Sequence, residues 1–395
     1  MKKVLYIQYT NPAAYPPLEH SSQILAREGW DVLFLGVSST ATADLKFQNH
    51  PSIRVRLLAD CASGWRQKLH YLRFVLWTTY WTIRWRPRWI YASDVFACPP
   101  AVLLGLLPST RVIYHEHDLH APERPSLFLR LCQRFRASLA TRANLCVFPN
   151  EVRADQFKVE HPNAKVICVW NCPMMDEIGP PRVMGDGGEF WLLYHGSVVP
   201  LRMPETVVEA LSLLPQTIKL RVVGYEPPGH EGYMDHLANR AKELNVSGRV
   251  EFCRSVPERK ELLEMCQRSH LGLAFVPLDT DEFNMKNMTG ASNKPFDYLA
   301  SGLALLVTNV DDWNSLFVQP GYGISCDPND VESLVHAIST MHSDFRKTAS
   351  MGERGRGQIL TKWNYELQFA PVLRAMSSAG AALQTSRMQI NPSQS

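Results

Sequence analysis

Asn293-Lys-Pro-Phe-Asp-Tyr-Leu-Ala-Ser-Gly-Leu-Ala-Leu-Leu-Val-Thr308 reads as a short helix running straight into a buried strand. Asn293 is a good N-cap, and Pro295 is tolerated in a first helical turn. Phe296, Leu299 and Ala300 fall on one helical face, and Gly302 closes the helix. Leu303 to Val307 is an unbroken apolar run, as in a parallel strand covered on both faces. Lys294 and Asp297 interrupt this core-like segment. A cation at a helix N-terminus is electrostatically unfavourable unless an anion sits there too. The mismatch predicts a phosphate-binding helix start with a carboxylate one turn in.

Working outward, the same alternation recurs. Before the opening stretch come strands at 190–194, 220–223, 250–252 and 271–276, with helices at 204–213, 233–244 and 258–267 between them. The first half repeats the pattern. Strands are expected at 3–8, 30–35, 52–58, 89–93, 111–114, 145–149 and 165–169, with helices at 18–28, 64–84, 95–107 and 126–142. Strands alternating with helices predict open parallel sheets. No GxGxxG follows the first strand, so the dinucleotide fingerprint is absent. Segment 171–188 breaks the pattern with three prolines and four glycines and reads as a linker. The division is 1–172 for a first Rossmann-like domain, 173–188 for the linker and 189–363 for a second domain. A helix at 364–376 is expected to pack back on the first domain, and 377–395 to be a polar, disordered tail. Two such halves place a ligand in the crevice between them, at the carboxyl ends of the strands.

A chain of 395 residues exceeds one ordinary core, and 45% hydrophobic with 20% charged residues is a soluble globular composition. The net charge of +3 hides an asymmetry: the first 150 residues carry 18 Lys and Arg against 9 Asp and Glu. The excess sits at 65–89 and 127–142. Nine cysteines without a CxxC pair point to reduced thiols and a cytoplasmic protein. The basic, apolar start reads as a strand rather than a signal peptide, and no run is long enough to span a bilayer. The aromatic, basic segment 65–88 reads either as a core helix with solvent-facing arginines or as a surface lying on the inner leaflet of an anionic membrane. No nucleic-acid reading motif accompanies the charge.

Several segments together resemble a known family. Tyr194-His-Gly-Ser-Val-Val-Pro-Leu-Arg202, Arg249-Val-Glu-Phe-Cys-Arg-Ser-Val-Pro257 and Asn293-Lys-Pro-Phe-Asp-Tyr-Leu-Ala-Ser-Gly302 look like the donor domain of a retaining, family-4-type (group 1) glycosyltransferase of the GT-B fold. Tyr91-Ala-Ser-Asp94 and Tyr114-His-Glu-His-Asp118 resemble that family's strand ends facing the cleft. The resemblance covers roughly residues 1–375. It implies an α/β protein of two Rossmann-like domains facing across a cleft. It also implies a phosphate site at Gly196, Ser197, Arg202 and Lys294, a ribose carboxylate at Asp297 and base contacts at Gly224, Arg254 and Val256. Glu282, Asn284, Asn287 and Asn293 become candidates for the donor sugar, and Asn11, Asp94 and His115 for the acceptor side. Two positions depart from the family pattern. Ser197 stands where a basic residue usually follows the phosphate-loop glycine, and Thr289 where a second acidic residue is usual.

The chemistry follows from the residue types. A nucleotide-sugar donor leaves as a diphosphate, so preorganised cations stabilise the leaving group. Arg202 and Lys294 are the candidates; read alone, each is a surface charge at a helix end. A carboxylate such as Asp297 matches a vicinal diol, though an acidic residue near a helix start is also favoured by the dipole. In His115-Glu-His-Asp-Leu-His120, His117 with Asp118 is the catalytic candidate, because a histidine can donate or accept near neutral pH. A metal-dependent hydrolase centred on His115, His117 and Asp118 is the rival enzyme, although the HxHxDH order is not met. A structural loop is the third reading. Asp279-Thr-Asp281 is a DxD pattern that arises often by chance, so no metal or other cofactor is expected. The reading is a glycosyltransferase that moves a sugar from a nucleotide-diphosphate donor to a glycan or lipid-linked acceptor. Its non-enzyme rival is a binding protein of the same fold, suggested by Ser197 and Thr289.

Overall fold

The computed structural model describes residues 2–61, 64–119, 124–181, 188–254 and 256–388, with side chains as far as 377. Two separate parallel sheets organise the chain. The first has seven strands: β1 (Lys3–Gln8), β2 (Asp31–Val37), β3 (Ile53–Leu58), β4 (Trp89–Ser93), β5 (Arg111–His115), β6 (Leu145–Phe148) and β7 (Val166–Cys168). Their order is β3-β2-β1-β4-β5-β6-β7. The second has six: β8 (Phe190–Ser197), β9 (Ile218–Tyr225), β10 (Val250–Arg254), β11 (Leu271–Ala274), β12 (Ala304–Thr308) and β13 (Gly323–Cys326), in the order β10-β9-β8-β11-β12-β13. In both sheets the order reverses beside the first strand. That is the switch point at which doubly wound sheets open a crevice.

The opening stretch supplies β12, one strand in from the edge of the second sheet. β12 pairs with β11 on one side and β13 on the other, and every residue of it is buried. This explains the apolar run, since a large aliphatic side chain gains about 1.5–3 kcal/mol on full burial. The helix Asn293–Ala300 precedes it, and its whole length from Lys294 is buried. Ser292, rather than Asn293, holds the cap position, and its side chain makes no capping bond. The helix therefore starts one residue earlier than Asn293 suggests. Its first backbone N–H groups are left to the cleft.

Each sheet is covered on both faces. One face of the first sheet packs Leu5, Ile7, Leu33 and Leu35 under the helix Trp65–Trp85 and its neighbours. The other packs Val4, Tyr6, Val32 and Phe34 against Leu18 and Leu25, and against Tyr365, Phe369, Val372 and Met376 of the final helix. That helix, Tyr365–Met388, thus returns to the first sheet after the chain has built the second. Residues 377–388, expected to be an unstructured tail, continue it; 389–395 lie outside the described residues, as does His120. The sequence reading assigns no element to Glu151–Glu160, Phe283–Lys286 or Gly323–Cys326. Glu151–Glu160 buries only Arg153, Ala154 and Phe157, so its apolar periodicity is faint.

Polar contacts cross between the halves. Asn284 bonds reciprocally with the Leu119 backbone, Oδ1 accepting from N and Nδ2 donating to O, both at 2.9 Å. Asn150 Nδ2 donates to Thr289 O at 2.6 Å, and Asn171 Nδ2 to Ala291 O at 2.7 Å. Lys46 N donates to Pro257 O at 3.1 Å. A cleft of about 470 Å³ lies between these contacts.

Candidate active site

The cleft floor is where β8 and β9 end side by side. Gly196 adopts φ +107° and Gly224 pairs with it across the ladder. A Cβ on Gly224 would stand 1.8 Å from Gly196 O, so only glycine permits this approach. A Cβ on Gly196 would meet Lys294 Nζ at 3.3 Å. The bare backbone and the lysine thus form one concave surface, with Ser197 and Arg202 on its rim.

Neither cation is held in a close ion pair among the described residues. The Arg202 guanidinium donates to Ser197 Oγ at 3.3 Å and meets the sulfurs of Met285 and Met288 at 3.4 and 4.0 Å, while its Nε has no partner. Lys294 is 8% exposed, with Nζ 5.3 Å above the Tyr194 ring. No ion pair involves either residue among the described residues. Burial and the nearby Arg202 charge push the Lys294 ammonium well below its ordinary pKa. A buried cation without a partner is costly. An anion bound here would relieve that cost.

Asp297 lies one turn further in and is 1% exposed. Its carboxylate is not bare. Arg259, at the start of the helix Arg259–Gln267, reaches it from Nη2 at 2.5 Å and Nη1 at 3.2 Å. Arg259 also binds Glu177 at 2.5 and 3.1 Å, and Glu177 accepts from His20 Nε2 on the first helix. Burial raises the Asp297 pKa, opposed by Arg259. Nothing in the sequence around Pro257-Glu-Arg-Lys260 marks Arg259 as a cleft residue. It reads as one charge among many at a helix start.

On the opposite wall His117 and Asp118 face the cleft. His117 is 6% exposed, and among the described residues neither ring nitrogen has a hydrogen-bond partner. Burial lowers its pKa to about 4, so the ring is neutral at pH 7 and has one donor and one acceptor to offer. Asp94, in a left-handed conformation at φ 63°, accepts from the His117 and Asp118 amides at 2.7 and 3.4 Å. It stands behind the loop instead of lining the cleft. His115 is wholly buried, with Nδ1 2.7 Å from the Tyr91 hydroxyl. Glu116 binds Arg136 and accepts from the Tyr114 hydroxyl, which anchors the helix Leu127–Arg142 to the sheet. The dense polar cluster thus divides into one cleft-facing pair, His117 and Asp118, and two supports, His115 and Glu116, with Asp94 holding the loop from outside it. Among the described residues no group of three His, Cys, Asp or Glu side chains is arranged to hold a metal ion.

The other candidates separate in the same way. Asn11, Gly224, Val256 and Asn293 line the cleft. Glu282 accepts from the Asn284 and Met285 amides and so caps its own short helix. Asn284 is spent on Leu119, and Asn287 Nδ2 donates to Phe283 O. Arg254 is exposed and lies outside the lining, and Thr289 offers only its carbonyl to Asn150. Tyr15, Glu19, His195 and Tyr225 line the cleft without having been singled out from sequence.

Two Rossmann-like parallel sheets facing across a cleft are the architecture of the GT-B fold. Residues 184–358 match the model of the family described as glycosyl transferases group 1. Among solved structures, sucrose-phosphate synthase from Thermosynechococcus elongatus superposes with a TM-score of 0.70 at 15% identity, covering 97% of this chain and 100% of that one. HepE of Anabaena, in complex with UDP and glucose, gives 0.68 at 15%, covering 96% and 100%. WaaG, a glycosyltransferase involved in lipopolysaccharide biosynthesis, gives 0.62 at 14%, covering 93% and 98%. At these identities the likeness is one of fold. No curated protein sequence matches the chain.

Proposed function

We propose that this protein transfers a sugar from a nucleotide-diphosphate donor to a hydroxyl of a glycan or lipid-linked acceptor, with retention at the anomeric carbon and without a metal ion. Its product belongs to a cell-surface polysaccharide or glycoconjugate. The observation that carries the reading is the pair of cations, Arg202 and Lys294, that make no ion pair among the described residues and stand beside the bare backbone of Gly196. A diphosphate would supply the missing negative charge. It would gain more as the sugar departs, because charge builds on its oxygens in the transition state. The base then lies toward Gly224 and Val256, and the donor sugar toward Asn293 and His117. A neutral His117 suits a sugar hydroxyl, giving one hydrogen bond and accepting another. The nucleotide bound to HepE, a protein of the same fold, supports this choice of ligand class.

The acceptor lies against the first half. One face of the helix Trp65–Trp85 exposes Trp65, Leu69, Leu72, Leu76, Tyr80 and Ile83, interleaved with exposed Arg66, Lys68, Arg73 and Arg84. No described helix is long and apolar enough to cross a membrane. An apolar stripe with basic flanks fits the surface of an anionic bilayer. The helix that carries the stripe bonds through His70 to Tyr9 at 2.9 Å, two residues before Asn11, which lines the site. A lipid-linked acceptor would enter there. The test is donor turnover with UDP-, GDP- and ADP-sugars in the presence of chelator, followed by the anomeric configuration of the product. Transfer with retention is expected. A chelator-sensitive reaction or an inverted product would refute the corresponding part of the reading.

A further inference from the structure

The Asp297 carboxylate lines the cleft one turn from Lys294, and each of its oxygens accepts one hydrogen bond from Arg259. A free carboxylate grips a vicinal diol by accepting from both hydroxyls. Here Arg259 fills one acceptor position on each oxygen, so a diol reaching the remaining positions meets the guanidinium at the same edge. Four of the five guanidinium N–H groups bind Asp297 and Glu177, and the fifth, on Nη1, is left at the cleft wall that Arg259 lines.

We propose that Arg259 is itself a donor-binding residue. The ribose diol is held at the seam between Asp297 Oδ2 and Arg259 Nη1, one hydroxyl donating to the carboxylate and its neighbour accepting from the guanidinium. This rests on the nucleotide-donor reading above. A hydroxyl can both donate and accept, so a carboxylate–guanidinium edge complements a diol as well as a carboxylate alone does, and neither charge has to be stripped of its partner. Glu177 and His20 are positioning residues. Glu177 accepts from Nε and Nη2 at the back of the guanidinium and fixes its plane, and His20 Nε2 holds Glu177 at 3.1 Å. His20 belongs to the first helix, Glu177 to the linker, and Arg259 and Asp297 to the second half. The ribose seam therefore depends on all three segments being in register.

The test uses the full chain. Wild type is titrated with UDP, GDP and ADP, and the tightest binder is compared with its 2′-deoxy form and with inorganic pyrophosphate. Arg259→Lys keeps a cation beside both carboxylates but loses the fork. It should weaken the ribonucleotide by about tenfold, the scale of one charged hydrogen bond, and leave pyrophosphate unchanged. Its preference for ribo- over 2′-deoxynucleotide should collapse. Folded Arg259→Lys that keeps the full preference overturns the proposal. If Arg259→Lys does not fold, Glu177→Gln serves in its place: a reduced preference supports the seam, and an unchanged one overturns it. Wild type that binds no nucleotide defeats the donor reading itself, and this assignment with it.

Discussion

Lys294 stands over Gly196 so closely that a Cβ on the glycine would lie 3.3 Å from the ammonium. The gap between them is what an anion would fill. Gly196→Ala both closes the gap and forces a side chain onto φ +107°. The variant should lose about 1 kcal/mol or more of stability, as alanine does at positive φ. It should also bind nucleotide diphosphates at least tenfold more weakly. Urea unfolding and calorimetric titration read the two effects separately.

Lys294 makes a second, opposite demand on stability. Its buried ammonium makes no ion pair among the described residues, so Lys294→Met replaces a costly group with one of similar length. Melting temperature should rise by a few degrees without ligand, as relief of a strained binding site does. The same variant should no longer be stabilised by nucleotide. A lower melting temperature without ligand would mean that the ammonium is satisfied in the free protein.

These two residues also mark how far the sequence could be read. The alternation of apolar strands with helices conveyed both sheets, because fully buried parallel strands such as Leu303 to Val307 are written as continuous apolar runs. Lys294 was legible as an anomaly, a cation inside a core-like segment at a helix start. Arg259 was not. Its role comes from Asp297 and Glu177, which lie 38 and 82 residues away in the chain and are joined only by the fold. The cluster at 115–118 was conspicuous, but its composition could not say which side chain faces the cleft. That depended on the Glu116–Arg136 pair and on Asp94 holding the loop from behind.

His117 sets a pH dependence. Its pKa is about 4 in the folded protein against an ordinary 6.5. Between those values the unfolded chain binds more protons, so stability is complete above pH 6.5 and declines as pH falls toward 4. A tenfold difference in proton affinity between the two states corresponds to about 1.4 kcal/mol. Wild type should therefore lose more stability between pH 7.5 and 5 than His117→Gln does, measured by urea unfolding. Equal losses would mean that His117 is hydrated in the folded state.

The Glu116–Arg136 pair should behave as structure. Glu116→Gln leaves a buried guanidinium uncompensated and should cost about 3–5 kcal/mol, the range for breaking buried pairs. The remaining folded protein should bind nucleotide normally. Weakened binding with unchanged stability would move Glu116 into the site.

The apolar stripe on Trp65–Trp85 should bind bilayers. Leu72→Asp with Leu76→Asp removes two exposed residues that hold no core position. Co-sedimentation with vesicles containing an anionic phospholipid should fall several-fold, and binding of wild type should weaken with salt. Soluble donor turnover should not change. Equal sedimentation of wild type and variant would remove the membrane from the account.

The most direct measurement is calorimetric titration of UDP, GDP and ADP into wild type and into the Arg202→Ala, Lys294→Met double variant. Wild type should bind at least one of the three, and the double variant should bind it about a hundredfold more weakly or not at all, at two charged hydrogen bonds lost. A folded double variant with wild-type affinity would contradict the assignment of these two cations as the donor-phosphate site.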